Sequence, residues 1–323
     1  AGCGVIFYVI MALRATMRDE GLFEQLGIYN PNIKSLMDIL ALGTVADLVS
    51  LDENNRNIVS LGLNLISEGE SRPGIRALIQ VSGKDQALLT ATDFGFALAP
   101  RINAAGRMSD MKIGINCLLA ETIEDATKIA LELDQLNVDR KETQKSMMVE
   151  AEIATDIEND DDGITVYEKD WHEGVIGILA SQVKEKKNRP VICFTDTEPE
   201  DGEEIVKGSA RSVPGIHLKH VLDEIYVNNP SVLKKFGGHA MAAGVSLPKS
   251  KYNEFSKLFN EYVSKYITQD IRDGVLFTDF SDVPARALTL RNAKEIENIG
   301  PWGQNFTLPI FSGDFSVVGW KIV

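Results

Sequence analysis

Up to about residue 120, apolar positions recur along the chain at helical spacing. Residues 5–18 read as a largely buried helix ending near Gly21. Residues 31–42 read as a second helix, running into Gly43-Thr44-Val45-Ala46-Asp47. Residues 54–67 place Ile58, Leu61, Leu63, Leu65 and Ile66 mostly on one side, as an amphipathic helix does. Residues 73–81, 91–98 and 112–120 read as shorter helices, and 100–107 as a loop rich in small residues.

A long helix follows. Thr122 with Asp125 three residues on predicts a capping box, with Asp in place of the usual Glu. Ile123, Ala126, Ile129, Ala130, Leu133 and Leu136 keep helical spacing. Residues 139–146 are polar all round, and apolar spacing resumes at Met147, Ala151, Ala154 and Ile157. A helix dry at both ends and wet in the middle fits a bridge between two domains; the alternative is a surface helix of one. At ~1.5 Å per residue it spans about 50 Å. Residues 159–163 form an acidic turn that closes it.

The period then alternates between strand and helix. Strands are expected at 164–167, 191–194 and 205–210, and helices at 174–187, 217–225 and 252–266, with an acidic loop at 196–204. After Asp270 come short strand-like runs, a helix near 290–298, Gly300-Pro301-Trp302-Gly303, and a strand-like pattern at 315–323. This alternation argues for an α/β architecture.

Composition narrows the function classes. The chain has 323 residues, 44% hydrophobic and 25% charged, as an ordinary globular protein of about two domains has. A net charge of −14 argues against coating nucleic acid through general basic charge. A narrow cleft lined with Arg and Lys stays open, because phosphate contacts act locally. Cys3, Cys117 and Cys193 are scattered, with neither a disulfide framework nor a zinc pattern, which fits a reducing compartment. The apolar run 1–13 is too short to cross a membrane and lacks the basic flank of a signal peptide. With no initiating Met and a strand pattern at its end, the sequence reads as a fragment of a longer chain.

The chemistry gathers around residues 235–244. Gly237 and Gly238 let the backbone turn and approach a ligand, their N–H groups forming an anion-binding nest, with His239 as a further donor. The plain alternative is a Gly-Gly loop before a close-packed helix, with His239 a core residue. Upstream, Lys207-Gly208-Ser209-Ala210-Arg211-Ser212 is a second polar glycine stretch.

Residues 41–47, 100–107, 171–180, 207–212 and 236–244, in this order and with the long helix in place, resemble the RecJ family of bacterial single-strand-specific exonucleases, in the DHH phosphoesterase superfamily. The likeness extends to Gly300-Pro301-Trp302-Gly303-Gln304. It implies the C-terminal part of a DHH domain (1–121), a connecting helix (122–158), an α/β DHHA1 domain (159–268) and the start of an OB-fold (269–323). It implies stepwise 5′-to-3′ release of mononucleotides from single-stranded DNA with a 5′ phosphate. Mn²⁺ or Mg²⁺ would be the cofactor, the setting cytoplasmic DNA repair and recombination, and a single-stranded-DNA-binding protein or a helicase a possible partner. No membrane is involved. The Asp-His-His motif of the superfamily is absent from these residues, so the piece by itself is expected to be inactive.

By this resemblance Asp47 completes the metal site, where a surface or capping role is the alternative. Arg107, Ser209 and Arg211 form a 5′-phosphate pocket between the domains. Arg offers a planar fork for phosphate oxygens, Ser a hydroxyl, and Gly208 keeps the backbone open. A structural salt bridge is the rival for either arginine. Lys207 touches the DNA backbone or is simply solvated. His239 with Gly237 and Gly238 supports the substrate phosphate. His172, beside Trp171, contacts DNA or is a buried structural residue. Arg101 reads as structural and Trp302 as core. Two other readings are a DHH-family phosphodiesterase acting on oligonucleotides or cyclic dinucleotides, and a non-catalytic DNA-binding replication scaffold.

Overall fold

The computed structural model describes residues 1–156, 161–314, 316 and 318–321. These divide into two compact units, 1–137 with 277–323, and 138–276. Helix Ile123–Asp156 passes from the first into the second. Asp125 N–H donates to the Thr122 hydroxyl at 3.1 Å, and that hydroxyl bonds the Asp125 carboxylate. The polar middle is not uniformly wet: Arg140 is buried and bonds Gln144 one turn on, since its long apolar stem tolerates cover. Ile157, Asn159 and Asp160 lie outside the described residues.

The first unit is helical. Helices Met37–Ala46, Glu53–Ser67, Pro73–Val81 and Lys112–Leu119 surround a core that includes Leu42, Ile66, Ile75, Leu78, Phe94 and Leu98. Ala126, Ala130 and Leu133 of the long helix close that core. Asp38 has no exposed surface; it accepts from the Arg72 guanidinium at 2.9–3.1 Å and from Arg72 N–H at 2.8 Å. Two expectations change here. Residues 100–107 are not a loop but part of helix Ala99–Met108, because Pro100 falls in its first turn, where no N–H is needed. Helix Gly2–Asp19 buries only Phe7 and leaves Val5, Ile6, Tyr8, Val9, Met11 and Leu13 exposed.

Residues 277–321 carry helix Leu290–Ile299. The short strands expected there are isolated bridges among the described residues, Phe280 with Phe311 and Gly303 with Phe306. Lone pairs of short segments are marginal as sheets. Of the expected terminal strand, Phe315, Val317, Ile322 and Val323 lie outside the described residues. Trp302, read as core, is half-buried and stacks on Phe306, over which Arg56 sits at 3.9 Å.

The second unit is a five-stranded mixed sheet of β1 (Ile164–Tyr167), β2 (Val191–Asp196), β3 (Ile205–Arg211), β4 (Lys235–Gly238) and β5 (Ala242–Pro248). Its order is β1-β2-β3-β5-β4, with only the β1–β2 pair parallel. Strand alternation sends Ile192, Phe194, Val206, Ala210, Val245 and Leu247 to one face. There they pack with apolar residues of helices Leu218–Asn228 and Tyr252–Ser264. Helix Ile176–Lys187 lies against β2 and β3 from the other face.

Candidate nucleic-acid interface

Lys207, Ser209 and Arg211 alternate along β3 and point to the face that meets helix Ile176–Lys187. A Cβ on Gly177, in the first turn of that helix, would lie 3.0 Å from Ser209 Oγ and 3.1 Å from Arg211 Nη2. The absence of a side chain there seats both polar groups against the helix start. Arg211 Nη1 donates to Ala210 O at 2.8 Å and to Ser209 Oγ at 3.2 Å, which orients the guanidinium. Cys193, the register partner of Ser209, is fully buried. Burial pushes its thiol far up, and the nearby Arg211 charge only partly offsets this, so it stays protonated.

Beside Ser209 the sheet is bare. Gly244 pairs with Ser209 on one side and with Gly237 on the other. A Cβ on Gly237 or Gly244 would meet nothing within 4 Å. Packing requires glycine at neither position, although glycine weakens a strand. This floor is open to close approach from outside.

Two glycine expectations are corrected. Gly237 and Gly238 form no nest, because they are extended residues of β4 paired with β5. Gly238 has φ +151°, and a Cβ there would lie 2.3 Å from Ala242 O, so it is needed for the hairpin itself. Gly208 opens no path to a ligand. It faces the core, where a Cβ would meet Phe194 at 2.5 Å and Ile192 at 2.9 Å.

His239 is exposed in the hairpin turn, against the core alternative. His239 N–H donates to Ala242 O at 2.9 Å, and its Nδ1 accepts from Met241 N–H at 3.3 Å, leaving Nε2 as the N–H donor. Leu218 N–H to Ala240 O (2.9 Å) and Ser212 N–H to Met241 O (3.0 Å) tie the turn down. Lys207 forms an ion pair with Glu173 rather than being simply solvated. His172 is exposed, and its Nδ1 accepts from Gly174 N–H at 3.1 Å; buried Trp171 donates to Glu150 at 2.7 Å.

In the first unit, Arg101 bonds Asp134 and Ala97 O, a structural role. Arg107 is exposed near the end of its helix. Asp47 caps helix Met37–Ala46, its side chain 64% exposed and 3.9 Å from the amino group of Ala1. Among the described residues no three His, Cys, Asp or Glu side chains are placed to hold a metal. The described residues therefore do not make a cation site by themselves. No described helix is long and apolar enough to cross a membrane.

The DHHA1 domain model matches residues 160–265. The single-stranded-DNA-specific exonuclease RecJ of Dickeya dadantii is 44% identical over the whole chain, and that of Escherichia coli 42%. The chain belongs to the RecJ family. It spans 56% of the length of each of these two relatives. Crystal structures of RecJ from Thermus thermophilus with Mg²⁺ and with Mn²⁺ superpose with TM-scores of 0.74 and 0.73 at 27% identity. They cover 90% of this chain and 43% and 41% of theirs. Gly177 and Gly244 both neighbour Ser209, although sequence reading took Gly244 only as a small residue that lets its segment pack flat and named Gly177 only within the 171–180 stretch. Their signal is that Ser209 neighbours both, which needs the strand register.

Proposed function

We propose that this chain is the part of a 5′-to-3′ single-stranded-DNA exonuclease that holds the strand and its 5′ phosphate. The observation that carries this is the bare floor of Gly237 and Gly244 beside Ser209 and an oriented Arg211. A flat backbone surface accepts an extended strand, and an Arg fork with a hydroxyl grips a terminal phosphate. His239 Nε2–H adds a donor at the rim of that floor. Arg107 engages substrate phosphates from the first unit. Asp47 would supply one carboxylate to a Mn²⁺ or Mg²⁺ site that the described residues do not complete, and a cation held there would supply activation of water. The full-length exonuclease relatives favour this reading over a cyclic-dinucleotide phosphodiesterase or a scaffold. It fits a cytoplasmic repair enzyme handed its strand by a single-stranded-DNA-binding protein or a helicase.

The test compares Arg211→Ala with wild type in the full-length protein, on 5′-phosphorylated and 5′-hydroxyl single strands. A lost charged hydrogen bond costs about 1.5–3 kcal/mol, so use of the phosphorylated strand should fall on the order of ten- to a hundredfold. The hydroxyl strand should be nearly unaffected. Equal loss on both strands rejects the assignment.

A further inference from the structure

The face of the first unit next to Asp47 carries two apolar side chains that its core does not use. Residues Phe94–Leu98 form one π-helical turn between Ala91–Asp93 and Ala99–Met108. Phe94 and Leu98 are fully buried, whereas Phe96 is 83% exposed. Leu48, the residue after Asp47, is 72% exposed and held at φ +51°, a conformation that costs a leucine roughly 1–2 kcal/mol. A core contact would explain neither the exposure nor the strained backbone. Local strain and π-helical turns both concentrate at functional sites.

Both residues line one groove of about 400 Å³, with Val45, Asn103 and Trp302 among its other walls. Two residues of the proposed site, Asp47 and Arg107, neighbour the groove's lining residues along the chain. Asp47 stands between lining residues Ala46 and Leu48. Ala99 and Asn103 line it, and Arg107 follows them at the same four-residue spacing on helix Ala99–Met108. An apolar slot between a carboxylate and an arginine-bearing helix face suits a ligand with a flat apolar body joined to an anionic chain. A nucleotide of a single strand is such a ligand, because every base offers a face for aromatic stacking.

We propose that Phe96, with Leu48 lining the same groove, stacks a nucleobase of the bound single strand and sets it in register with Asp47. This rests on the single-strand reading above. The test is a ladder of 5′-phosphorylated oligothymidylates, each with one abasic site at a different position. Binding to the full-length protein is followed by fluorescence anisotropy without divalent cations, so that no strand is cut. Wild type should lose roughly tenfold in affinity at one ladder position near the 5′ end. Phe96→Ala should bind that abasic strand and the intact strand equally, and Phe96→Trp should restore the discrimination. If Phe96→Ala keeps the abasic penalty at every position, the stacking site is overturned while the single-strand reading stands. If wild type binds none of the oligonucleotides, both fall. Should Phe96→Ala melt below wild type, the same ladder is read on Leu48→Ser, and an unchanged penalty there overturns the proposal equally.

Discussion

Gly208 and Gly244 sit on neighbouring strands and face opposite sides of the same sheet. Gly208 lies over Phe194 and Ile192, where one methyl group would force the ring and the isoleucine side chain to shift. Gly244 faces open space beside Ser209. The same substitution should therefore have opposite signatures. Gly208→Ala overpacks the core and should cost about 1–3 kcal/mol, read as a lower melting temperature. Gly244→Ala should leave melting unchanged or slightly raised, since alanine is better than glycine in a strand by roughly 0.5–1 kcal/mol. It should weaken single-strand binding, because a side chain now stands on the floor. A Gly208→Ala variant that melts like wild type, or a Gly244→Ala variant that binds like wild type, would contradict this division. Sequence alone picked out the Lys207–Ser212 stretch but misread Gly208. Which face a strand glycine serves depends on register with Phe194, forty or more ångströms of chain away in sequence terms.

At the scale of elements, much of the helical and strand pattern was legible. Local signals sufficed for Pro73–Val81, with Pro at its start, and for β1 (Ile164–Tyr167). The β4–β5 hairpin was not, because small residues at 240–244 carry no strand propensity and are held by pairing to β3. Equally illegible was the clasp that fastens the end of the second unit. Buried Asp162 accepts two bonds from Arg272, at 2.9 and 2.7 Å, more than a hundred residues apart in sequence. Burial alone would raise this carboxyl, but Arg272, Ser264 and Arg189 together hold it below the usual 3.8. A depressed folded-state pKa contributes stability that is complete above the unfolded value and is lost as pH falls through the folded one. Helix Gln269–Asp273 should therefore loosen below about pH 4, where the unfolded carboxyl begins to bind protons. Protection factors of residues 269–273, that is, hydrogen exchange corrected for the intrinsic pH dependence of the amides, should fall more steeply from pH 7 down to pH 3 in wild type than in Asp162→Asn. Parallel curves would remove Asp162 from the account.

At the scale of the whole molecule, each of the two units has its own core. What neither unit supplies among its described residues is a cluster of metal-binding side chains. Mg²⁺-type sites take about six oxygen ligands with carboxylates as anchors, and Asp47 offers one carboxylate, largely in solvent. Helix Gly2–Asp19 exposes a row of apolar residues from Val5 to Leu13, a surface suited to being covered. The resemblance carried the metal expectation in the sequence, and it also implied an incomplete ligand set, because none of the four histidines sits in an Asp-His-His motif. The chain as given should therefore bind single strands yet cut none. Incubated with Mn²⁺ and a 5′-labelled, 5′-phosphorylated single strand, beside the full-length protein, it should release no mononucleotide above a metal-free control. Release that disappears on Asp47→Ala would mean that these 323 residues assemble a working cation site after all. Release that persists in that variant would place the cutting chemistry away from Asp47.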